Sequence, residues 1–215
     1  MSMIDICRLP ILDGLKMCDV KSAMEPLCSK HCIGNVNWPE EFPYQPVCNF
    51  MMAYTTKAIY VHSFSRGLDL RAVNTQNLSP VAQDSCVEFF VQLPGNAEYW
   101  NFEFNCIGAI NASHREQRDK PVRLSDSQLQ SIKRWASCGT APFEERGGLH
   151  SWELTVAIPL ELLGIDKDNM PKHILGNLYK CGSMTSHPHY LSWAPIKTET
   201  PNFHCPQFFG QINLR

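Results

Sequence analysis

The sequence lacks long apolar runs and any strong excess of charge of either sign. No apolar run approaches the roughly 20 residues that a membrane-spanning helix needs. The 19 Lys and Arg residues nearly balance the 21 Asp and Glu residues, which gives a formal net charge of −2. Wrapping nucleic acid or coating an acidic membrane calls for a basic surface, and this balance does not indicate one. We therefore expect neither nucleic-acid binding nor membrane insertion.

A secretion signal is also missing from the sequence. Residues 1–8 contain no basic region followed by an apolar stretch. The ten cysteines are scattered, and Cys86, Cys106 and Cys181 fall in predicted strands, where cysteine behaves as a small buried hydrophobe. These features favour reduced thiols and a cytoplasmic location. A secreted or periplasmic form with disulfides is the alternative if a signal was trimmed.

Motifs that are typical of catalysis or metal binding are weak or missing. The sequence has neither a nucleophile elbow nor a glycine-rich phosphate loop. Two groups of residues have side chains that zinc or copper would accept, but neither group has a standard ligand spacing. They are His187, His189, His204 and Cys205, and Cys7, Cys18, Cys28 and Cys32. We expect no cofactor, while calcium or another structural metal stays open without an assignable site.

What the sequence does contain is a succession of short alternating strands. Residues 1–49 look like an irregular N-terminal part, with a proline-rich run at 38–46, and the β pattern begins at Val47. A capping-box spacing from Ser125 predicts one clear helix over 125–136. We predict a single domain over residues 1–215 in the all-β class. Its expected architecture is a β-sandwich of two antiparallel sheets, of immunoglobulin-like or jelly-roll type, with one or two short helices.

The clearest hairpin lies at 86–106, and its pairing matters for function. One allowed register sets Val87 against Phe104 and places Glu88 directly opposite Glu103. Like charges at that spacing destabilise a sheet unless a cation, a bound proton or ligand hydroxyls offset them. The other register places Glu88 opposite Asn101 instead, and the sequence leaves the choice open.

The last forty residues place aromatic side chains in loops, where they must pack beneath the loop or face a ligand. Trp193 and Phe203 are the two candidates for flat platforms. Sugar rings suit such platforms, because they have apolar faces and hydroxyl edges that carboxylate, amide and cationic groups bind. The polar candidates are Glu88, Asn101, Glu103, Asn177 and Lys180.

The order of several motifs resembles the family 9 carbohydrate-binding modules, in particular their stand-alone relatives. The motifs are Ile11-Leu-Asp-Gly14, Asp84-Ser-Cys-Val-Glu-Phe-Phe90, Tyr99-Trp-Asn-Phe-Glu-Phe104, Trp152-Glu-Leu-Thr-Val-Ala-Ile-Pro159, Gly176-Asn-Leu-Tyr-Lys180, Leu191-Ser-Trp193 and Phe203-His-Cys-Pro-Gln-Phe-Phe-Gly210. Beyond the first, near the start, they cover the chain from about residue 50 onward. The resemblance implies a β-sandwich that binds a mono- or oligosaccharide, often at a chain end, in support of glycan degradation and without catalysis.

The resemblance also implies roles for particular residues. Glu88 lies where the family has a hydroxyl-binding glutamate, and Phe203 falls near the second of two aromatics that sandwich the sugar. The first of those aromatics has no counterpart here, because residues 79–83 read Ser-Pro-Val-Ala-Gln. The expected ligand-binding set is Glu88, Asn101, Glu103, Asn177, Lys180, Trp193 and Phe203.

Two alternatives stay open at this point, as does the oligomeric state. Related sandwich domains hold haem through Met and His, and this chain has eight of each. A glycan hydrolase that uses Glu88 and Glu103 as its carboxylate pair is the second alternative.

Overall fold

The computed structural model describes residues 2–215 and is mostly β-structure. Its strands are β1 (Met3–Arg8), β2 (His31–Cys32), β3 (Asn35–Val36), β4 (Val47–Tyr54), β5 (Ala58–Ala72), β6 (Cys86–Gln92), β7 (Tyr99–Asn105), β8 (Ile110–Arg115), β9 (Pro121–Arg123), β10 (Lys133–Ala136), β11 (Phe143–Pro159), β12 (His173–Cys181), β13 (Tyr190–Ser192) and β14 (Gly210–Leu214). Two short α-helices are present, α1 (Val20–Met24) and α2 (Asp126–Ser131). No helix among the described residues is both long and apolar enough to cross a membrane.

The strands form two sheets that share one strand. The front sheet has the order β9-β8-β7-β6-β12-β14-β1, and the back sheet has the order β1-β4-β5-β11-β10. The first four residues of β1 pair with β14, and its last two pair with β4, both in parallel. The other pairs are antiparallel. The sandwich is confirmed, with β1 as a parallel link between its sheets.

The main core lies between the two sheets. Val87, Phe89 and Phe104 of the front sheet pack in one cluster with Phe50 and Val156 of the back sheet. These residues alternate along their strands with polar or differently packed neighbours, as a half-buried strand requires. The front sheet therefore turns its odd-numbered β6 residues inward and its even-numbered ones, including Glu88, outward.

The outer face of the front sheet carries a second apolar layer. Phe90, Tyr99 and Tyr179 project from the sheet and pack against residues of two covering segments, at 36–44 and 193–209. Trp38 and Phe203 are the central covering side chains, with ring centroids 6.2 Å apart. A pocket beside this layer, lined by Phe203 of the second segment, has the strand face that carries Glu88 as its floor.

Two sequence expectations need correction. Residues 1–49 are not wholly irregular, because Met3–Arg8 is a strand and Val20–Met24 is a helix. The helix expected over 125–136 begins as predicted, with a complete capping box at Ser125, but it ends at Ser131. Residues Lys133–Ala136 then form β10 against β11. Ile132 is buried in the core directly before this edge strand, and Ala136 packs against the core from the strand itself.

Candidate functional site

Two buried glutamates lie side by side on the outer face of the front sheet. Glu88 of β6 is directly opposite Glu103 of β7, and Phe89 is opposite Phe102. The exposed fractions of Glu88 and Glu103 are only 5% and 7%. The register that brings the two carboxylates together is therefore confirmed, and the register that pairs Glu88 with Asn101 is wrong.

The hydrogen bonds of this pair are unequal. Glu103 accepts from the amide groups of Asn101, at 2.9 Å, and Asn111, at 3.0 Å. Glu88 accepts from the thiol of Cys181 at 3.1 Å. Two amide donors favour an ionised carboxylate far more than one thiol does. Glu103 is thus the better held of the two anions.

Burial governs the protonation of both carboxyls. It raises the pKa of Glu88 well above its ordinary value, and the neighbouring Cys181 and Glu103 raise it further. Burial also raises the pKa of Glu103, against the lowering effect of its amide donors. The pair therefore retains a proton more readily than exposed glutamates do, and it presents both a donor and acceptors to a ligand.

A pocket of about 200 Å³ lies above these carboxylates. Glu88, Glu103 and Cys181 contribute to its floor. Its walls come from four surrounding stretches of the chain and combine an aromatic side with a polar side. The wall residues are Ala82, Arg118, Ser183, Tyr190, Pro201, Asn202, Phe203 and His204.

The aromatic side of the pocket is built in layers. Phe203 stacks on Tyr179 with ring centroids 4.1 Å apart and an interplanar angle of 8°. Tyr190 meets Phe203 edge to face at 6.0 Å and is itself braced by Phe42 at 4.7 Å. Because Phe203 is 9% exposed and Tyr190 is only half-buried, Tyr190 offers the larger accessible ring to a ligand.

The polar side of the pocket carries cationic and neutral donors. Arg115 is buried beneath it and donates to the backbone carbonyl of Arg118 at 2.6 Å. The hydroxyl of Tyr99 is hydrogen-bonded to Nδ1 of His204 at 3.0 Å. Burial, reinforced by the two arginines, lowers the pKa of His204 to about 3. His204 is therefore a neutral hydrogen-bonding group at the pH of the cell, and Arg118 supplies positive charge at the rim.

The structure brings three of the seven predicted ligand-binding residues to this pocket. Glu88, Glu103 and Phe203 line it, and their contact with a ligand stays a prediction. Asn101 lies just beneath, where it donates to Glu103 and is fully buried. Asn177 is also fully buried, and its side chain holds the backbone of Ala194 through two hydrogen bonds of 2.8 and 2.9 Å. Asn101 and Asn177 support the pocket from behind.

Lys180 and Trp193 lie on the opposite face of the front sheet, which corrects their predicted place in the pocket. Lys180 alternates with Tyr179 along β12, so its side chain enters the interior, where its amine is 2.8 Å from Nε2 of His189. Trp193 packs in the main core and meets Phe50 edge to face at 6.1 Å. Neither side chain reaches the floor that holds Glu88.

Sequence reasoning missed Tyr190, Arg118, Asn202 and His204. Strand parity could have found Tyr190, because it is opposite Cys181 on β13 and therefore shares a face with the pocket floor. The others come from loops, whose path depends on contacts across the whole chain. The histidines whose spacing spoke against a metal site are also apart in the fold, since His187 pairs with Asp69 and His189 with Lys180.

A larger groove of about 740 Å³ lies elsewhere, beside the back sheet. Its lining includes the exposed amines of Lys57, Lys133 and Lys167, and Tyr60 is its one aromatic. A sugar site needs a flat apolar ring together with desolvated polar groups. The smaller pocket has both, whereas the larger groove has a single aromatic residue and charged groups that are exposed to solvent.

Comparisons with known proteins identify the family of the chain. The sequence model described as carbohydrate-binding family 9 matches residues 21–214. A provisionally named carbohydrate-binding protein from Bacteroides uniformis is 33% identical, with a TM-score of 0.92, and the match covers 100% of this chain and 99% of that one. Among curated proteins, none matches the sequence.

More distant structures share the fold. A family 9 module from Caldicellulosiruptor kristjanssonii in complex with cellotriose has a TM-score of 0.55 at 13% identity, covering 100% of this chain and 94% of that one. The same organism's module in complex with glucose has a TM-score of 0.56 at 12% identity, covering 100% and 96%. With a family match over nearly its whole length and a 33% identical structural relative, the chain belongs to carbohydrate-binding family 9.

Proposed function

We propose that this carbohydrate-binding module binds a saccharide in the pocket above Glu88 and Glu103. The observation that carries the proposal is the buried carboxylate pair beneath an aromatic wall. Buried carboxylates without strong partners are costly, and sugar hydroxyls satisfy them by both donating and accepting. Tyr190 and Phe203 would then contact the apolar face of the ring, and Arg118 and Asn202 would bind hydroxyls at the rim.

The size of the pocket favours one sugar ring at the end of a chain. Pockets for drug-sized ligands measure roughly 300–1,000 Å³, whereas this one measures about 200 Å³. Glucose and cellotriose are the natural first probes, because the Caldicellulosiruptor modules were solved with them. By binding the terminal ring of a glycan, the module would deliver that glycan to a degrading enzyme.

We further propose that the chain performs no hydrolysis in this pocket. Retaining glycosidases place their carboxyls about 5–5.5 Å apart on either side of the scissile bond, and inverting ones about 6.5–9.5 Å apart. Glu88 and Glu103 instead lie next to each other in one floor, on adjacent strands. Both carboxylates therefore face the ligand from the same side, which suits binding rather than attack.

The haem alternative finds no support in the pocket lining. Haem ligation of the kind found in related sandwich domains would need a methionine and a histidine that face one cavity. His204 lines the pocket, but its lining contains no methionine. We therefore favour a saccharide as the occupant.

The test is a calorimetric titration with glucose, cellotriose and a panel of other oligosaccharides. Glu88→Gln and Tyr190→Ala are expected to weaken the best ligand by about 10- to 100-fold, since each removes roughly 1.5–3 kcal/mol of contact. Lys133→Ala and Lys167→Ala, in the larger groove, are the matched controls and should bind like the wild type. The proposal fails if the lysine variants lose affinity while the pocket variants keep it, or if no sugar of the panel binds. Release of reducing ends by the wild type would contradict the non-catalytic assignment.

A further inference from the structure

Two thiols and one carboxylate converge at the inner end of the pocket. Cys86 and Cys181 are directly opposite each other on β6 and β12, and Glu88 follows on the same face of β6. Their two Sγ atoms and one carboxylate oxygen all lie within 4.8 Å of one another. We propose that Cys86, Cys181 and Glu88 bind a thiophilic divalent cation such as Zn²⁺.

The spacing of the three atoms fits tetrahedral coordination. Zinc binds thiolate sulfur at about 2.3 Å and carboxylate oxygen at about 2.0–2.2 Å, so tetrahedral ligand atoms are about 3.5–3.8 Å apart. Here the sulfur of Cys181 is 3.1 Å from the oxygen of Glu88, and the other two separations, both from the sulfur of Cys86, are at most 4.8 Å. Rotamer adjustments of less than about 1 Å would place all three atoms around one ion, without moving the strands.

The charge of the site also calls for a cation. Glu88, Cys86 and Cys181 are almost fully buried, and a second buried carboxylate, Glu103, is directly opposite Glu88. The amine of Lys180 points to the other face of the sheet, toward His189. A divalent ion would displace the two thiol protons, together with the proton of Glu88 where that carboxyl is protonated. It would form two metal–thiolate bonds and one metal–carboxylate bond and neutralise most of the charge created.

Access and ligand type favour zinc over calcium or magnesium. Glu88 and Cys181 line the pocket, so an ion can enter from it, while Cys86 closes the site behind. Thiolates are soft ligands that select zinc-like ions, whereas calcium and magnesium require oxygen ligands. The fourth coordination position would face the pocket and hold water. That a sugar hydroxyl replaces this water rests on the proposed function, but the binding of the ion does not.

The competing chemistry of this cluster is a disulfide. Directly opposite residues of antiparallel strands have Cα atoms about 4.5–5.5 Å apart, which lies within the range that a disulfide bridges. Oxidation would remove both thiolate ligands and leave Glu88 without its thiol donor. The two possibilities are exclusive, and the mass of the protein distinguishes them, because the disulfide has lost two hydrogens.

The test uses the whole chain, purified with a phosphine reductant and stripped with a chelator. Zn²⁺ is titrated in competition with a chromophoric chelator, and Co²⁺ is titrated while thiolate-to-cobalt absorption is recorded. We expect one equivalent of tight binding in the wild type. Cys86→Ser and Cys181→Ser should each weaken it by about 100-fold or more, since losing even an outer contact costs about 10- to 100-fold. Each should also reduce the thiolate band to about half at saturating cobalt, because one thiolate remains.

Cys28→Ser is the matched control, because Cys28 and Cys7 form another close pair of thiols, with 3.6 Å between their sulfur atoms. It should bind zinc like the wild type. Glu88→Gln provides a variant that keeps both thiols if the serine variants fold poorly, and it should retain the cobalt band but bind more weakly. Circular dichroism verifies the fold of each variant.

Four results would overturn the proposal. They are the absence of stoichiometric zinc binding in the reduced wild type, unchanged binding in both serine variants, loss of binding only in Cys28→Ser, and a Cys86–Cys181 disulfide that forms in air and resists the reductant. Sugar titrations in the presence of chelator separate this proposal from the function of the pocket. If the protein binds sugar but no zinc, only the zinc proposal fails. If it binds zinc but no sugar, only the proposed saccharide binding fails.

Discussion

Replacement of Trp193 by alanine should destabilise the fold and leave the sugar pocket intact. The indole is 9% exposed, packs in the main core and meets Phe50 edge to face. A buried tryptophan removes roughly 200 Å² from water, and at about 25 cal/mol per Å² this corresponds to about 5 kcal/mol. Measured substitutions of this kind cost about 3–5 kcal/mol, because the cavity collapses only in part.

The assay is urea unfolding followed by far-ultraviolet circular dichroism, combined with sugar titrations at low temperature. We expect Trp193→Ala to lower the free energy of unfolding by about 3–5 kcal/mol, while the folded fraction binds sugar with unchanged affinity. Tyr190→Ala is the matched variant, since the Tyr190 ring is half-buried beside the pocket. It should cost less stability, about 1–2 kcal/mol, and should lose sugar affinity.

The opposite outcome would refute this reasoning directly. If Trp193→Ala lost less than about 1 kcal/mol of stability but no longer bound sugar, the indole would have to face the ligand. The assignment of Trp193 to the core and of Tyr190 to the pocket would then both be wrong.

Three further predictions concern the framework of the fold. Gly210→Ala should destabilise the fold by about 1–3 kcal/mol in thermal melts, because a Cβ there would be 2.6 Å from the Trp193 ring. Gly14→Ala is the control and should be close to neutral, because a Cβ at Gly14 would have no atom within 4 Å. Asp84→Asn should cost about 3–5 kcal/mol in urea unfolding, because the fully buried carboxylate accepts from two backbone amides and pairs with Arg71 at 3.3 Å. Stability should fall as the pH is lowered from about 6.5 to 4. Burial lowers the pKa of His62 to about 4 in the folded protein, so the unfolded chain binds the proton first. His62→Gln should remove up to about 3 kcal/mol of this pH dependence.

Each of these has an outcome that would contradict it. Equal melting temperatures for the two glycine variants would show that the indole can move aside. A loss below about 1 kcal/mol for Asp84→Asn would mean that the hydrogen bonds and the ion pair of its carboxylate contribute little to stability. An identical pH dependence of unfolding with and without the imidazole would place its pKa near the ordinary value.

The pairing of β6 with β7 was predictable because both strands alternate strongly. Val87 and Phe89 must face the same core as Phe102 and Phe104, which restricts the register to two choices, and one of them places Glu88 opposite Glu103. The sequence could not choose between the two, since the turn length after Gln92 decides it. Local alternation therefore predicts the floor of the pocket well.

The walls of the pocket depend on information that is not local. Tyr190 and Trp193 are three residues apart on a short strand and its extension, so alternation puts them on opposite sides. Only the pairing of β13 with β12 shows that Tyr190 is the one on the pocket side. Helix α2 was predicted to its correct start by the capping box at Ser125. Its end was missed because Lys133–Ala136 is recruited as an edge strand by β11, a contact between distant segments. Short strands and loops take their orientation from such partners rather than from their own periodicity.

The most direct test of the central claim is a crystal structure of the chain with the best-binding saccharide of the panel. Binding above the buried carboxylates predicts sugar hydroxyls within hydrogen-bonding distance of Glu88 and Glu103, with the ring against Tyr190 and Phe203. A sugar bound instead in the groove lined by Lys57, Lys133 and Lys167, or at any site away from Glu88, would contradict the claim.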